Sequence, residues 1–173
     1  MAETVDRALR WAGLLFTGLF AGFLATVLIV ELSARSFDGT VYTHVRLVEL
    51  VALDVFATVL LIPALIIAAL QAVLAFRRRS RARWSSAVVL VLLVLVLVTT
   101  LVINLPINAD QLAWNPQAPP ADWAQVRDRW QSAHAVRAAA ALLAFGLLVG
   151  RTEQAPRSSQ LARRALLEPV RSH

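Results

Sequence analysis

The chain has 173 residues, of which 58% are hydrophobic and only 16% are charged, and its mean hydropathy is +0.65. This composition lies outside the usual range of soluble domains and indicates an all-α membrane protein. All 17 basic residues are arginines, mostly in short segments between apolar runs, which favours a role in membrane orientation over nucleic-acid binding. Because the chain has no cysteine, it has no disulfide, thiolate metal site or cysteine nucleophile.

Four apolar segments are long enough to cross a hydrocarbon core, which takes about 20 helical residues. They predict a four-transmembrane-helix bundle over residues 1–150, with helices at about 11–32, 46–76, 85–105 and 121–150. The first segment follows Arg7 and Arg10 but has no convincing signal-peptide cleavage site, so it is interpreted as a retained helix. The second contains Pro63, a predicted kink. The third is expected to end at Asn104-Leu105-Pro106.

The arginines also predict an orientation. Twelve of the 17 precede the first helix, lie between the second and third, or follow the fourth. The positive-inside rule makes that side cytoplasmic, with both termini inside and segments 33–45 and 106–131 outside. We therefore expect a multi-pass protein of the plasma membrane whose partner is the lipid bilayer, with oligomers left open. The polar, Arg-rich tail 151–173 is expected to be disordered or to lie on the inner membrane surface.

Polar side chains concentrate between Asn104 and Arg137, where a membrane protein keeps such groups only if they are paired or used. At 100° per residue, the last helix carries a polar and aromatic stripe whose members fall within about 40° of one line. The stripe consists of Trp123, Arg127, Trp130, His134, Arg137 and Ala141. Counting the helical rise places it in the outer half of the bilayer. We expect it to face a cavity open to the outside that also holds Glu31, His44, Asp54, Asn104 and Asn108.

Each of these side chains also has a purely structural interpretation. The tryptophans fit an interfacial aromatic belt, and Arg137 could reach outward or pair with Glu31 or Asp54. Asn104 and Asn108 could cap interrupted helix ends. What favours a site is convergence, because independent structural roles would not all select one leaflet and one helix face.

A metal site is one chemistry that these residues allow. It would combine His44 and His134 with one or two of Glu31, Glu49 and Asp54, a two-histidine and carboxylate set that iron or copper could use. The two histidines are in different helices and form no close-spaced motif. The sequence has no HExxH, Walker loop, GxGxxG or GxSxG, which gives no support to zinc proteases, P-loop NTPases, Rossmann cofactors or the usual serine hydrolases.

Chemistry without a metal is also open. His134 would abstract an acidic proton, Asp54 or Glu31 would orient its imidazole, and Arg137 with the two asparagines would stabilise the oxyanion. A stabilised carbanion can react with dioxygen directly, and tryptophans would stack on an aromatic substrate. The expected catalytic residues are therefore His134, Arg137, Asn104, Asn108 and Asp54, and the expected substrate-binding residues are Trp130, Trp114, Arg127 and Glu31.

The pattern N-x-P-x-N at Asn104 to Asn108, followed after a spacer by W-x-x-x-H-x-x-R at Trp130 to Arg137, resembles the anthrone oxygenase-like family of small four-helix membrane proteins. The glycine-rich first helix, GLLFTGLFAGFLA, is similar to that of the family. This resemblance implies a four-helix fold and the oxidation of a tricyclic anthrone to an anthraquinone by dioxygen.

Two hypotheses of function follow from the sequence. The first is a membrane oxygenase that acts on a lipophilic aromatic substrate in the outer half of the bilayer. The second is a non-catalytic membrane subunit, or a small-molecule or lipid binder, whose polar face docks a partner. An enzyme should enclose His134 in a cavity of several hundred Å³, whereas a docking subunit should present the stripe flat towards lipid.

Overall fold

The computed structural model describes the backbone of residues 2–167 and the side chains of residues 3–151. It is an all-α fold in which four stretches are long and apolar enough to cross a membrane, and its described part contains no β-strand. These stretches are Glu3–Ser36, Gly39–Arg77, Arg83–Leu112 and Trp123–Arg151. The predicted fold class, a four-transmembrane-helix bundle, is confirmed. The cytoplasmic placement of the termini stays a prediction.

Helix α1 spans Ala2–Ser33 and is followed by a single 3-10 turn at Ala34–Ser36. Helix α2 spans Gly39–Arg77 and continues without a break through Pro63. It begins well before the predicted residue 46 because Asp38 caps it, its side chain accepting a hydrogen bond from the Val41 amide at 3.0 Å. The predicted connection 33–45 is therefore mostly helical.

The third transmembrane stretch does not end at Asn104-Leu105-Pro106 as predicted. Helix α3, Arg83–Thr99, passes into a π-helical turn at Thr100–Asn104 and then into helix α4, Leu105–Leu112. Pro106 lies in the first turn of α4, where the missing amide hydrogen breaks no helical bond. The wider turn before it, closed by the Leu105 amide on the Thr100 carbonyl, accommodates the proline ring.

Helix α5, Trp123–Leu167, is the longest element and extends beyond the predicted end at residue 150. Its membrane-spanning part ends at Arg151, and the side chains of the predicted tail beyond it lie outside the described residues. Helix α1 packs against α2 and α5, and α3 does the same, so the helices follow one another around the bundle as α1, α2, α3 and α5.

The bundle core changes character along its length. Near the termini, small and aliphatic residues such as Ala64, Ala68 and Ala144 pack against Val89 and Leu93. Farther along, Phe20 and Leu24 of α1 meet leucines of α2 and alanines of α5. In the half away from the termini, buried polar side chains replace most of the apolar ones. The candidate site lies there.

Candidate functional site

A cavity of about 260 Å³ lies between α1, α2, the π-helical turn, α4 and α5. Its size is close to the lower end of the range for small-molecule sites, roughly 300 to 1,000 Å³. Most of its wall is apolar, from residues such as Phe20, Phe23 and Leu53. The polar part of the wall comprises Arg46, Glu49, Asp54, Thr58, Thr100, Asn108, Trp130, His134 and Arg137.

The cavity has a lateral mouth between α2 and the segment that joins α3 to α4. On α2, Thr58 and Ile62 line the cavity and are exposed at the bundle surface. Opposite them, Leu101 and Leu105 line it and are about half exposed, at 52% and 46%. These residues lie within stretches that are long and apolar enough to cross a membrane, and the mouth opens on the outer surface of the bundle. Asp54, one turn before Thr58, is the ionisable group at this mouth.

His134 is buried in the cavity wall with one ring nitrogen held and the other free. Its Nε2 atom lies 3.0 Å from the Leu24 carbonyl oxygen. Because a carbonyl can only accept, Nε2 carries the proton, and in the neutral imidazole the lone pair is on Nδ1. Within the described residues Nδ1 is buried and has no hydrogen-bond partner. The ring is stacked on Trp130, with centroids 4.7 Å apart and planes at 10°.

A main-chain carbonyl thus orients the His134 imidazole, in place of the acidic side chain expected from the sequence. Neither Asp54 nor Glu31 forms a hydrogen bond with the imidazole in the described part of the chain. The Leu24 carbonyl fixes the same tautomer that a carboxylate would, but it adds no negative charge next to the ring. The hydrogen-bond partner of His134 Nε2 is therefore an uncharged group.

Arg137 follows His134 by three residues on α5 and also lines the cavity. Only 6% of it is exposed, and its Nε atom has no hydrogen-bond partner among the described residues. Among the described residues its guanidinium forms no ion pair. The salt bridge to Glu31 or Asp54 that the sequence allowed is therefore absent. A buried donor without a partner costs about 1–3 kcal/mol, and more on a charged group. Arg137 is consequently available to an anion or a developing oxyanion.

A second buried arginine, Arg46, occupies the centre of a polar network. Its Nη1 atom lies 3.1 Å from Glu49 Oε2 and 3.3 Å from Glu31 Oε1. Its Nε donates to Gln111 at 2.8 Å and its Nη2 to Asn108 at 2.7 Å. Its Cζ atom lies 3.9 Å from the centroid of a Trp130 ring, a cation–π contact. One side chain thereby links α1, α2, α4 and α5.

Asn108 and Asn104 both contact Trp130. The Asn108 Oδ1 atom accepts from Trp130 Nε1 at 2.7 Å as well as from Arg46, and its Nδ2 donates to Asp54 at 3.2 Å. Asn104 is fully buried, and its Nδ2 donates to the Trp130 carbonyl at 3.3 Å. Asn104 does not line the cavity. These bonds fix Trp130 and so the position of the His134 ring stacked on it.

Several residues expected at the cavity lie elsewhere. His44 is exposed and its ring bonds to the Thr40 carbonyl at 2.9 Å. Arg127 contacts Asp128 and the Trp123 ring instead of the cavity. Glu31 is buried behind the wall, where it accepts a hydrogen bond from Gln131 and approaches Arg46. Trp114 is partly exposed and does not line the cavity.

The two histidines lie apart, so they do not form the metal site that the sequence allowed. His44 is held at its own helix surface, whereas His134 is buried against Leu24 of α1. In the part of the chain that the structure describes, no three His, Asp or Glu side chains come together in a way that could hold a metal ion. The donor set His44, His134, Glu31 and Glu49 is therefore not assembled.

Sequence reasoning missed Arg46, Gln111, Tyr42 and Gln131. Arg46 and Glu49 are three residues apart and share one helix face, and Gln111 follows Asn108 by the same spacing, which was the available signal. Gln111 donates to the Tyr42 hydroxyl at 3.3 Å and so extends the network to the start of α2. Such spacings predict shared faces but do not reveal which faces meet.

The fold and the site define a class: a four-helix membrane bundle with a laterally open cavity whose wall includes a histidine and two arginines. The chain belongs to the anthrone oxygenase family, whose model matches residues 50–147. The match includes Asp54, Asn104, Asn108 and the segment from Trp130 to Arg137, but not Glu31 or Arg46. No curated protein and no solved structure matches the chain.

Proposed function

We propose that the protein is an oxygenase that converts a lipophilic, anthrone-like aromatic substrate to the corresponding quinone with dioxygen. The observation that carries this proposal is the pair His134 and Arg137. They lie one helical turn apart in one cavity wall, and each has a buried nitrogen without a partner among the described residues. Membership of the anthrone oxygenase family supports the substrate class.

The first step is proton abstraction. His134 Nδ1 takes a proton from the methylene carbon that is opposite the carbonyl of the substrate, and the carbanion charge delocalises onto the carbonyl oxygen. Arg137 stabilises this oxyanion, a task for which a preorganised cation in a dry site is effective. Trp130, held by Asn108 and Arg46, keeps the imidazole in place by stacking. The hydroxyl-rich aromatic ring packs on the apolar wall.

Oxygen then reacts with the carbanion. The carbanion donates an electron pair to dioxygen, a C–O bond forms, and the proton on His134 completes a hydroperoxide. Loss of the second methylene proton with cleavage of the O–O bond gives the ketone and water. The balance is CH₂ plus O₂ to C=O plus H₂O, so dioxygen is the only oxidant and both carbon-bound hydrogens leave in water.

Entry from the bilayer fits such a substrate. Ile62 on α2 and Leu101 and Leu105 opposite form the apolar part of the mouth, which lies within stretches that could span a membrane. A planar aromatic molecule dissolved in lipid can reach the cavity without passing through water. Asp54 at this mouth is bonded to Asn108, and so connects the entrance to the network around Trp130.

The test is turnover by the purified protein in detergent or liposomes, with a hydroxylated anthrone as substrate. Quinone absorbance and oxygen uptake should rise together, one oxygen molecule per quinone. His134→Ala should lower the rate on the order of 10²-fold or more, the usual contribution of a general base. Arg137→Gln should lower it by a similar order through loss of oxyanion stabilisation.

His44→Ala is the matched control, because His44 is exposed and apart from the cavity. It should leave the rate unchanged. His134→Gln provides a second variant that can still donate to the Leu24 carbonyl, and its thermal unfolding should match that of the wild type. Equal rates in wild type and both His134 variants would contradict a catalytic role for this residue.

Binding without turnover is the second candidate function. It is favoured by the Arg46 network, in which most polar groups are already paired with one another. In that case the anthrone would quench tryptophan fluorescence in wild type, and Trp130→Phe would weaken the quenching, while oxygen uptake stayed at the rate of buffer. The same sample thus separates the two functions.

A further inference from the structure

A second cavity, of about 230 Å³, lies at the end of the bundle where the N-terminus is. Its lining combines three arginines, Arg7, Arg10 and Arg151, with the apolar side chains of Trp11, Leu14 and Leu148 and with Gln71 of α2, whose amide donates to the Leu9 carbonyl. None of these residues lines the cavity that contains His134. The two cavities are at opposite halves of the bundle, so the second one is not an extension of the candidate active site.

The lining of this cavity carries three positive charges and, among the described residues, no acidic side chain. Asp6, which lines an adjoining cavity together with Arg10 and Arg151, is paired with Arg78. Arg151 is partly buried, and its Nη1 atom is buried without a hydrogen-bond partner in the described part of the chain. Three guanidiniums around one space repel one another and leave donors unused. An anion with several acceptor oxygens would satisfy both demands.

The chemistry of the cavity lining indicates which kind of anion would bind. Guanidinium groups bind phosphate oxygens through parallel hydrogen bonds. The same cavity is walled by Leu14 and Leu148, and by Trp11, which is 67% exposed at the bundle surface. These residues lie one to three helical turns inside the ends at Glu3 and Arg151, next to the arginines, which is about the depth at which headgroups meet the first chain carbons. A molecule with a phosphate and an adjoining hydrocarbon part would contact both kinds of wall.

We propose that this cavity is a binding site for the phosphate headgroup of an anionic membrane phospholipid. Arg7 and Arg10 from α1 and Arg151 from α5 hold the phosphate, and Trp11, Leu14 and Leu148 contact the glycerol and the start of the acyl chain. Basic pockets between transmembrane helices on the cytoplasmic side are a known means of selecting anionic lipids. Bound lipid would join the first and last membrane-spanning helices.

The experiment uses the full chain in uncharged detergent, to which phosphatidylglycerol, phosphatidylcholine or inorganic phosphate is added. Lipid binding is measured by native mass spectrometry, and stability by thermal unfolding. Phosphatidylglycerol should bind and raise the unfolding temperature in a concentration-dependent way. Arg151→Gln should weaken that binding on the order of tenfold, as expected for loss of a charged hydrogen-bond donor.

Arg81→Gln is the matched control, since it removes the same charge at the same end of the bundle but does not line the cavity. It should leave binding within about twofold of the wild type. Arg10→Gln is the second pocket variant, because Arg10 is exposed and lies on another helix, so its loss does not threaten folding. It should weaken binding as Arg151→Gln does.

Three results would overturn the proposal. Equal weakening by Arg81→Gln and the pocket variants would show a general attraction of the charged surface. Equal binding of phosphatidylcholine would remove the role of anionic charge. Stabilisation by inorganic phosphate as strong as that by phosphatidylglycerol would identify free phosphate as the ligand and contradict the lipid assignment.

Discussion

In the half of the bundle near the termini, the buried side chains between the helices are mostly small and aliphatic, as Ala68, Ala144 and Leu93 illustrate. In the opposite half, the same helices bury Arg46, Glu31, Asn108 and their partners. Small residues let helices approach closely and gain dispersion energy, which is the main attraction between helices in lipid. In the polar half, hydrogen bonds and ion pairs between side chains hold the helices in fixed positions and leave a cavity between them.

The comparison explains why the candidate site is where it is. Close packing in the apolar half leaves no space beside Ala141 and Ala144, both fully buried. In the polar half the π-helical turn and the long side chains keep α2 apart from the segment around Leu101. The candidate site with His134 thus lies in the half in which packing is incomplete, and the close-packed segment around Ala141 and Ala144 supplies a rigid base for it.

The largest expected effect comes from breaking the polar half at its centre. Arg46→Met should lower the free energy of unfolding by about 3 to 5 kcal/mol, because Glu31 and Glu49 would remain buried without their cation. Equilibrium unfolding in mixed micelles, followed by tryptophan fluorescence and circular dichroism, measures the change.

Arg35→Met is the control for this loss. Arg35 also pairs with an acid, Asp128 at 2.8 Å, but both side chains are nearly half exposed. Its removal should cost less than about 1 kcal/mol. Equal losses in the two variants would mean that the Arg46 network does not hold the polar half together.

The predictable parts of this fold are those for which a single helix carries the information in its own sequence. The four apolar stretches are visible in composition, and the stripe on α5 is visible in periodicity, which is why Trp130, His134 and Arg137 were expected together and do line one cavity. The predicted end of the third stretch was wrong because a proline such as Pro106 usually breaks a helix, whereas here it lies in the first turn of α4. The π-helical turn that accommodates it has no comparably clear sequence signal.

The rest of the site depends on contacts between helices. Arg46 was missed because arginines at helix ends also mark orientation, and its partners come from three other segments of the chain. His44 was expected at the cavity because of its residue type. At 100° per residue it lies about 160° around the helix from Arg46, so the two side chains cannot both face the bundle. Arg127 lies about 10 Å along α5 from His134, beyond the cavity.

The next effect tests the apolar half by overfilling it. Ala144→Leu should destabilise the protein by about 1 to 3 kcal/mol, since Ala144 is fully buried among Ala64, Ala68 and Leu93 and the helices would have to separate. The matched control is Ala139→Leu on the same helix, where the side chain is exposed towards lipid, and its effect should stay within about 0.5 kcal/mol. Tolerance of leucine at both positions would contradict close packing in this half.

The smallest effect concerns two glycines one turn apart on α1. A Cβ atom added at Gly18 would lie 2.8 Å from Phe145 Cε2, whereas one added at Gly22 has no heavy atom within 4 Å. Gly18→Ala should therefore cost about 1 kcal/mol, because the Phe145 ring can shift only partly. Gly22→Ala should be neutral or stabilise by up to about 1 kcal/mol, because alanine is the better helix former. Thermal unfolding of both variants measures the difference, and its sign is the decisive quantity. If both changes are stabilising, the glycines of α1 serve helix flexibility rather than close approach to α5.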